Sequence, residues 1–346
     1  MDAVKKVFTE IGSTRLIIGG FLVFLFIVIF ALDMDSEMLI GDSLVRVGMH
    51  GILVLSLLLP IVAGIGINFA MPIGLLAGLV GGVLSLEYEL QGWGGFFFAI
   101  ALAIPLAILG GYLYSLLVNR VRGSEMMVGN FTALSIVALM SIVWMFIPLQ
   151  NYALVWPMSG RGVRMTLVIE EYERILNNFL AFNITDRLVF PTGLFLAFFL
   201  LCFLVWLFMR TKTGISMQAC GSNPEFARSI GIDINKMRTL SLIISACLGA
   251  IGIIVFSQSF GFYQFYTAPA TMTIPTIASI LIGGATIKKA KISHAIIGVI
   301  LFQSILTISM PIANEVIDMG GLSDVVRVMV SNGIIVYALT KSGGNK

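Results

Sequence analysis

Apolar residues in this chain do not alternate with polar ones; they run on. Stretches of roughly 17 to 25 apolar residues, the length that a bilayer core demands of a helix, recur along almost the whole chain. They are read as spans at 16–32, 44–65, 69–86, 94–118, 126–147, 188–209, 240–260, 271–287, 293–312 and 325–339. In lipid every backbone polar group must be satisfied internally, and a single apolar run achieves that only as a helix. The pattern therefore predicts an all-α, polytopic membrane domain over 1–346 with about ten transmembrane helices. The first run follows Lys5, Lys6 and Arg15, and no small-residue cleavage site succeeds it, so it reads as an uncleaved span.

Small residues mark where helices meet. Gly66, Ala70, Gly74, Gly78 and Gly82 repeat at every fourth position, as do Ala99, Ala103, Ala107 and Gly111. Such stripes let helix backbones approach closely in lipid. Spans two to five and seven to ten stand on either side of the sixth, which permits an inverted repeat.

Two polar intervals are long. The first, 148–187, holds Trp156, Arg161, Arg164, Glu170, Glu171 and Glu173; it is too long for a plain turn, and an amphipathic helix is expected over 166–179. The second, 210–238, has the marks of a short helix of its own. Asn223 suits the N-cap, Pro224 the first helical position, Glu225 the positive end of the dipole and Gly231 the C-terminal stop. A helix of about two turns is not stable alone in water, so neighbouring structure must hold it.

Charge orients the spans. With the N-terminus inside, Lys5, Lys6, Arg15, Arg120, Arg122, Arg210, Lys212, Arg228, Lys236, Arg238, Lys288, Lys289, Lys291, Lys341 and Lys346 lie on the inner side, 15 of the 21 basic residues. Positive loops stay in the cytoplasm. Both termini and 210–238 are thus expected inside, and 148–187 outside.

Composition narrows the chemistry. The chain is 58% hydrophobic and 11% charged, with a mean hydropathy of +1.01 and a net charge of +3, which leaves no basic surface for nucleic acid. Cys202, Cys220 and Cys247 have no metal-type spacing, and His50 and His294 fall near span ends as packing or interface residues. Gly283-Gly284-Ala285-Thr286-Ile287-Lys288 lacks the spacing of a phosphate loop, so ATP and magnesium are expected on a partner and no cofactor here. The spans are nearly free of ionisable groups, with Arg46 and Arg327 at their margins, whereas ion-coupled carriers usually need such groups in the membrane. A self-sufficient carrier or channel nonetheless remains the alternative, because sodium sites can be built from backbone carbonyls. Uncharged groups are left to line a path for a neutral solute: Asn68, Phe69, Asn130, Gln258, Thr273 and Gln303, with Thr132, Ser135, Ser257, Ser259, Thr276 and Ser304 as further candidates.

The loop also carries a family likeness. Thr213-Gly214, Ala219, Gly221, Asn223, Ala227 and Gly231-Ile232-Asp233 resemble the cytoplasmic loop of permease subunits of bacterial ABC importers for simple sugars, nucleosides and branched-chain amino acids. The segment 277–285 is similar to the Gly-Gly segment of ribose-type permeases, whereas Gly66-Ile67-Asn68-Phe69-Ala70 stands where sugar-type members have a Gly-Ile-Asp-Leu-Ser-like signature. The likeness runs from about Gly48 to Leu339. It implies a type II importer fold and a coupling helix contacting ATPase subunits through Gly221, Asn223, Pro224, Glu225, Ala227, Arg228 and Gly231. It further implies a second permease subunit, identical or related, and an extracytoplasmic substrate-binding protein docking near Arg161 and Arg164. The expected setting is the bacterial inner membrane, and the expected cargo a neutral sugar, then a nucleoside, then a branched-chain amino acid.

Overall fold

The structure is a computed structural model that describes residues 13–156, 162–185 and 187–316, together with scattered positions from 325 to 340. The chain order is α1 (Ser13–Ala31), α2 (Ser36–Ser56), α3 (Leu58–Val62), α4 (Pro72–Glu87), α5 (Gly92–Arg120) and α6 (Glu125–Phe146). The loop expected outside follows, with β1 (Thr166–Val168), α7 (Ile175–Asn178), β2 (Phe182–Asn183) and β3 (Val189–Phe190). Then come α8 (Thr192–Arg210), α9 (Lys212–Ser222), α10 (Pro224–Ser229), α11 (Ile234–Phe260), β4 (Phe262–Gln264), α12 (Ala268–Thr271), α13 (Thr273–Ile282) and α14 (Ile292–Val316).

Among the described residues, six helices are long and apolar enough to cross a membrane, with Ser36–Val62 taken as one, and three apolar helices are shorter. These nine fall on the first nine predicted spans; the tenth, 325–339, lies largely outside the described residues, as do Lys5, Lys6, Arg327, Lys341 and Lys346. The second span begins two turns earlier than the apolar pattern suggests, because Asp35 caps it by accepting the Met38 amide. It breaks at Leu57, three residues ahead of Pro60, whose missing N–H cannot continue the ladder.

Small residues decide the packing. A Cβ on Gly74 or Gly78 would strike the backbone of Ala246 or Ala250, so α4 lies directly against α11. The second stripe is likewise buried: Ala99, Ala103 and Ala107 are inaccessible, and Gly111 rests on Ile243 and Leu242 of α11. Helices α4, α5 and α11 thus form one tightly packed layer, on which α2 and then α14 are laid. Each Leu or Ile withdrawn into that centre, such as Leu53, Leu75 and Ile253, gains van der Waals contact that lipid would supply less densely.

The expected helix over 166–179 is not formed. Thr166, Leu167 and Val168 pair antiparallel with Gln264, Tyr263 and Phe262, and only the single turn α7 is helical. The alternating exposure of Thr166, Leu167 and Val168 has a period of two, and a β-branched pair flanking one leucine favours a strand. Arg174 then takes a left-handed backbone (φ 51°) and donates its amide to the Gln258 carbonyl.

Candidate functional site

At the end of the bundle expected to face the cytoplasm, the chain leaves α8 and makes two short helices before α11. The guanidinium of Arg210 lies 3.9 Å above the Trp206 ring and closes α8. Thr211 then caps α9 by accepting the Gly214 amide at 3.2 Å. Sequence reading missed α9; the Thr211 cap was its signal. Met217 and Cys220 are buried, and burial, helped by the nearby Asp233 charge, pushes the Cys220 thiol upward.

Gly221 fixes the position of the loop. A Cβ there would collide with the Val62 carbonyl, so only glycine lets the end of α9 reach the end of α3. The short helix α10 forms as expected. Asn223 accepts the Phe226 amide at 3.0 Å, Pro224 opens the helix, Glu225 is exposed in its first turn and Arg228 in its last. Ala227 is fully buried as its anchor. Gly231 (φ 84°) stops it, and Asp233 caps α11; the Lys236 amide and ammonium hold the Asp233 carboxyl below its ordinary range.

The outer surface of α10 is unlike a solvated turn. Phe226 and Ile230 are each 56% exposed, and Arg228 stands beside them at a recess of about 220 Å³ shared with Arg122, Ile232 and Asn235. Neither apolar residue is legible as functional without knowing which way α10 faces. Behind this surface, Arg238 on α11 is paired with Glu125 on α6 at 2.6 Å, both nearly buried. The sequence shows both charges but not their pairing across 113 residues.

The proposed path residues are not gathered into one lining. Asn68 is buried where the chain breaks between α3 and α4; its amide donates to Ser245 Oγ on α11 and its carbonyl accepts the Ala70 amide. Phe69 beside it is half-buried. Gln258 is inaccessible: its Oε1 accepts the Leu176 amide and its Nε2 donates to the Val255 carbonyl. Thr273 donates weakly to the Pro269 carbonyl, and Gln303 is buried in α14. Asn130 is exposed, on the open face of α6, where Phe131 and Leu134 are also exposed and only Gly129, Ala133 and Trp144 are buried. Of the two proposed docking residues, Arg161 lies outside the described residues, and Arg164 is half-buried with its Nε donating to the Val155 carbonyl.

Residues 39–339 match the profile of the branched-chain amino acid transport system permease components. The chain belongs to that family. The family region thus spans α2 to the end of the bundle and includes the whole 210–238 loop. This permease is 31% identical over 112 residues to the autoinducer 2 import system permease protein LsrC of Escherichia coli O157:H7, over 32% of each chain. It is 29% identical over 155 residues to a tyrosine transport system permease protein of Clostridioides difficile, over 43% of this chain and 50% of the relative. It is 27% identical over 244 residues to a probable branched-chain amino acid transport permease protein LivH of Methanocaldococcus jannaschii, over 58% and 75% respectively. The match to LsrC thus spans about a third of that relative's length. As a permease with six long apolar helices among its described residues, the chain is a multi-pass membrane protein.

Proposed function

We propose that this permease is the translocation subunit of an ABC importer in the bacterial inner membrane. It works as a homo- or heterodimer, with ATP and magnesium held by separate ATPase subunits. The observation that carries the reading is the exposed Phe226–Ile230 edge on a helix capped by Asn223 and anchored by Ala227. Exposed apolar residues on so polar a loop favour a protein partner. Arg228 and Glu225 beside that edge supply register. Movement of the ATPase pair pushes α10, and the fit of Gly221 against α3 passes the push into the bundle.

The cargo is a small polar solute without net charge. The scarcity of ionisable groups within the spans supports a sugar; the tyrosine and branched-chain amino acid systems among the relatives support an amino acid as the second reading. A substrate-binding protein docks at the outer loop near Arg161 and Arg164, and Asn130 with its neighbours on α6 faces the path shared with the second subunit.

Affinity capture of the tagged permease from mild detergent, followed by mass identification, tests this. The expected result is recovery of ATPase subunits with phosphate loops, lost in the Phe226→Asp/Ile230→Asp variant. Recovery of the chain alone, with uptake intact in liposomes that lack ATP, would instead make it a secondary carrier.

A further inference from the structure

The α13–α14 connection carries a second concentration of positive charge. The turn closed by the Thr286 amide on the Lys289 carbonyl presents Lys288 and Lys289, and Lys291 follows; all three are exposed. Arg15, in the first turns of α1, lays its guanidinium against Gly284, where φ is 92° and a Cβ would collide with it. Arg15 Nε and His294 Nδ1 are both buried, and neither has a hydrogen-bond partner among the described residues. Nor does any carboxylate among the described residues pair with Arg15 or these lysines. Ordinary inward positive charge accounts for the exposed lysines alone. It does not account for two unsatisfied buried nitrogens converging on the same turn, each costly to leave bare.

What surrounds the cluster is apolar. Helix α1 rises from Arg15 with Ile17, Phe24, Ile27 and Phe30 between 55% and 71% exposed, a face suited to acyl chains. On α8, Cys202, Phe203 and Trp206 form with Ile292 a crevice of about 280 Å³ directly beside Lys291. The exposed lysines stand at one level, with two buried, unpartnered nitrogens behind them and apolar surface continuing from them along the helices. That is the complement of a lipid rather than of a soluble anion or an acidic protein surface.

We propose that the α13–α14 turn, with Arg15 and His294, binds the phosphate of an anionic phospholipid of the cytoplasmic leaflet, one acyl chain of which lies in the Cys202–Trp206–Ile292 crevice. Basic pockets at the inner ends of transmembrane helices bind such headgroups, and each lysine near the surface strengthens anionic lipid binding about fivefold. The lipid would hold α1 against α13 and α14. None of these residues lies on the 210–238 loop, and the site is independent of what the permease carries.

The test uses the full-length permease in nanodiscs of phosphatidylcholine with or without phosphatidylglycerol, read by native mass spectrometry of retained lipid and by thermal unfolding. Phosphatidylglycerol is expected to be retained in preference to phosphatidylcholine and to raise the unfolding temperature. Lys288→Gln/Lys289→Gln/Lys291→Gln, all at exposed positions, should weaken retention roughly a hundredfold. Lys236→Gln, an exposed lysine elsewhere on the same end, should leave it unchanged. Equal retention of the two lipids, or equal loss in the Lys236→Gln control, would overturn the proposal. So would the same thermal shift from inorganic phosphate in neutral nanodiscs, which would assign the cluster to a free anion. Loss of a partner protein but not of lipid in the triple variant would make it a protein interface and overturn it as well.

Discussion

At the end of the bundle expected to face outward, polar side chains turn inward and find partners. The loop 162–185 is stitched to the turn after α11 by β1 and β4, by Asn177 Nδ2 donating to Ser259 Oγ, by Gln258, and by the Tyr172 and Tyr263 hydroxyls 3.1 Å apart. The opposite end is closed differently, by a buried ion pair and a glycine fit, and Phe226 and Ile230 stand open on α10 as Leu180 and Phe182 do on the loop at the first end. The contrast teaches how to separate structure from function here. A hydrogen-bonding residue in the seal around Gln258 is explained by its partners, whereas Phe226 and Ile230, exposed on the short helix α10, are unexplained until a partner protein is supplied.

The largest expected effect is on the inner side. Glu125→Leu removes one half of a pair whose side chains are 7% and 14% exposed, leaving Arg238 charged and uncompensated. Loss of about 3–5 kcal/mol is expected, seen as a lowered unfolding temperature in detergent. The Glu125→Leu/Arg238→Met double variant should recover most of it. If the single and double variants are equally unstable, the pair is not what joins α6 to α11.

Next in size is the outer seal. Gln258→Leu strands the Leu176 amide and Asn177, and about 1–3 kcal/mol should go with them. The tyrosine pair adds a pH signature. Burial pushes Tyr172 up to about 12 and Tyr263 well above its ordinary value of 10.0, so the folded state keeps both protons after an unfolded chain would release them. Their contribution is complete below pH 10 and falls as pH rises from about 10 to about 12. Unfolding monitored across that range should steepen in the wild type and flatten in Tyr172→Phe/Tyr263→Phe; an unchanged slope would rule the pair out as a determinant of the seal.

How much of this was legible beforehand follows from which forces are local. The nine apolar spans from α1 to α14 were readable because lipid imposes length and apolarity on each helix separately. The Asn223 cap, Pro224 and the Gly231 stop were readable because capping is settled within a few residues. The strand at Thr166–Val168 was not, since its partner Phe262–Gln264 lies about a hundred residues away. The same holds for Asn68, Gln258 and Gln303: the sequence marks them as uncharged hydrogen-bonders, but only the fold gives Asn68 to Ser245 and Gln258 to α7. Asn130 stayed open because α6 buries so few of its residues.

The smaller effects on stability concern α10, and they sharpen the comparison most. Asn223→Ala should cost about 1 kcal/mol of local helix, visible as faster amide exchange over 224–229 with little change in global unfolding. Phe226→Ser and Ile230→Ser should cost almost nothing in the isolated permease, because both side chains already face out. If they are the anchors of an ATPase contact, each loses about 2 kcal/mol of association, roughly thirtyfold in affinity, and ATP-driven uptake falls with it. Binding of the purified ATPase subunits to each variant, set beside its unfolding temperature, separates the two quantities. Unfolding and association that decline together would mean Phe226 and Ile230 belong to the fold after all, and the inner end would then be sealed by the same rule as the outer one.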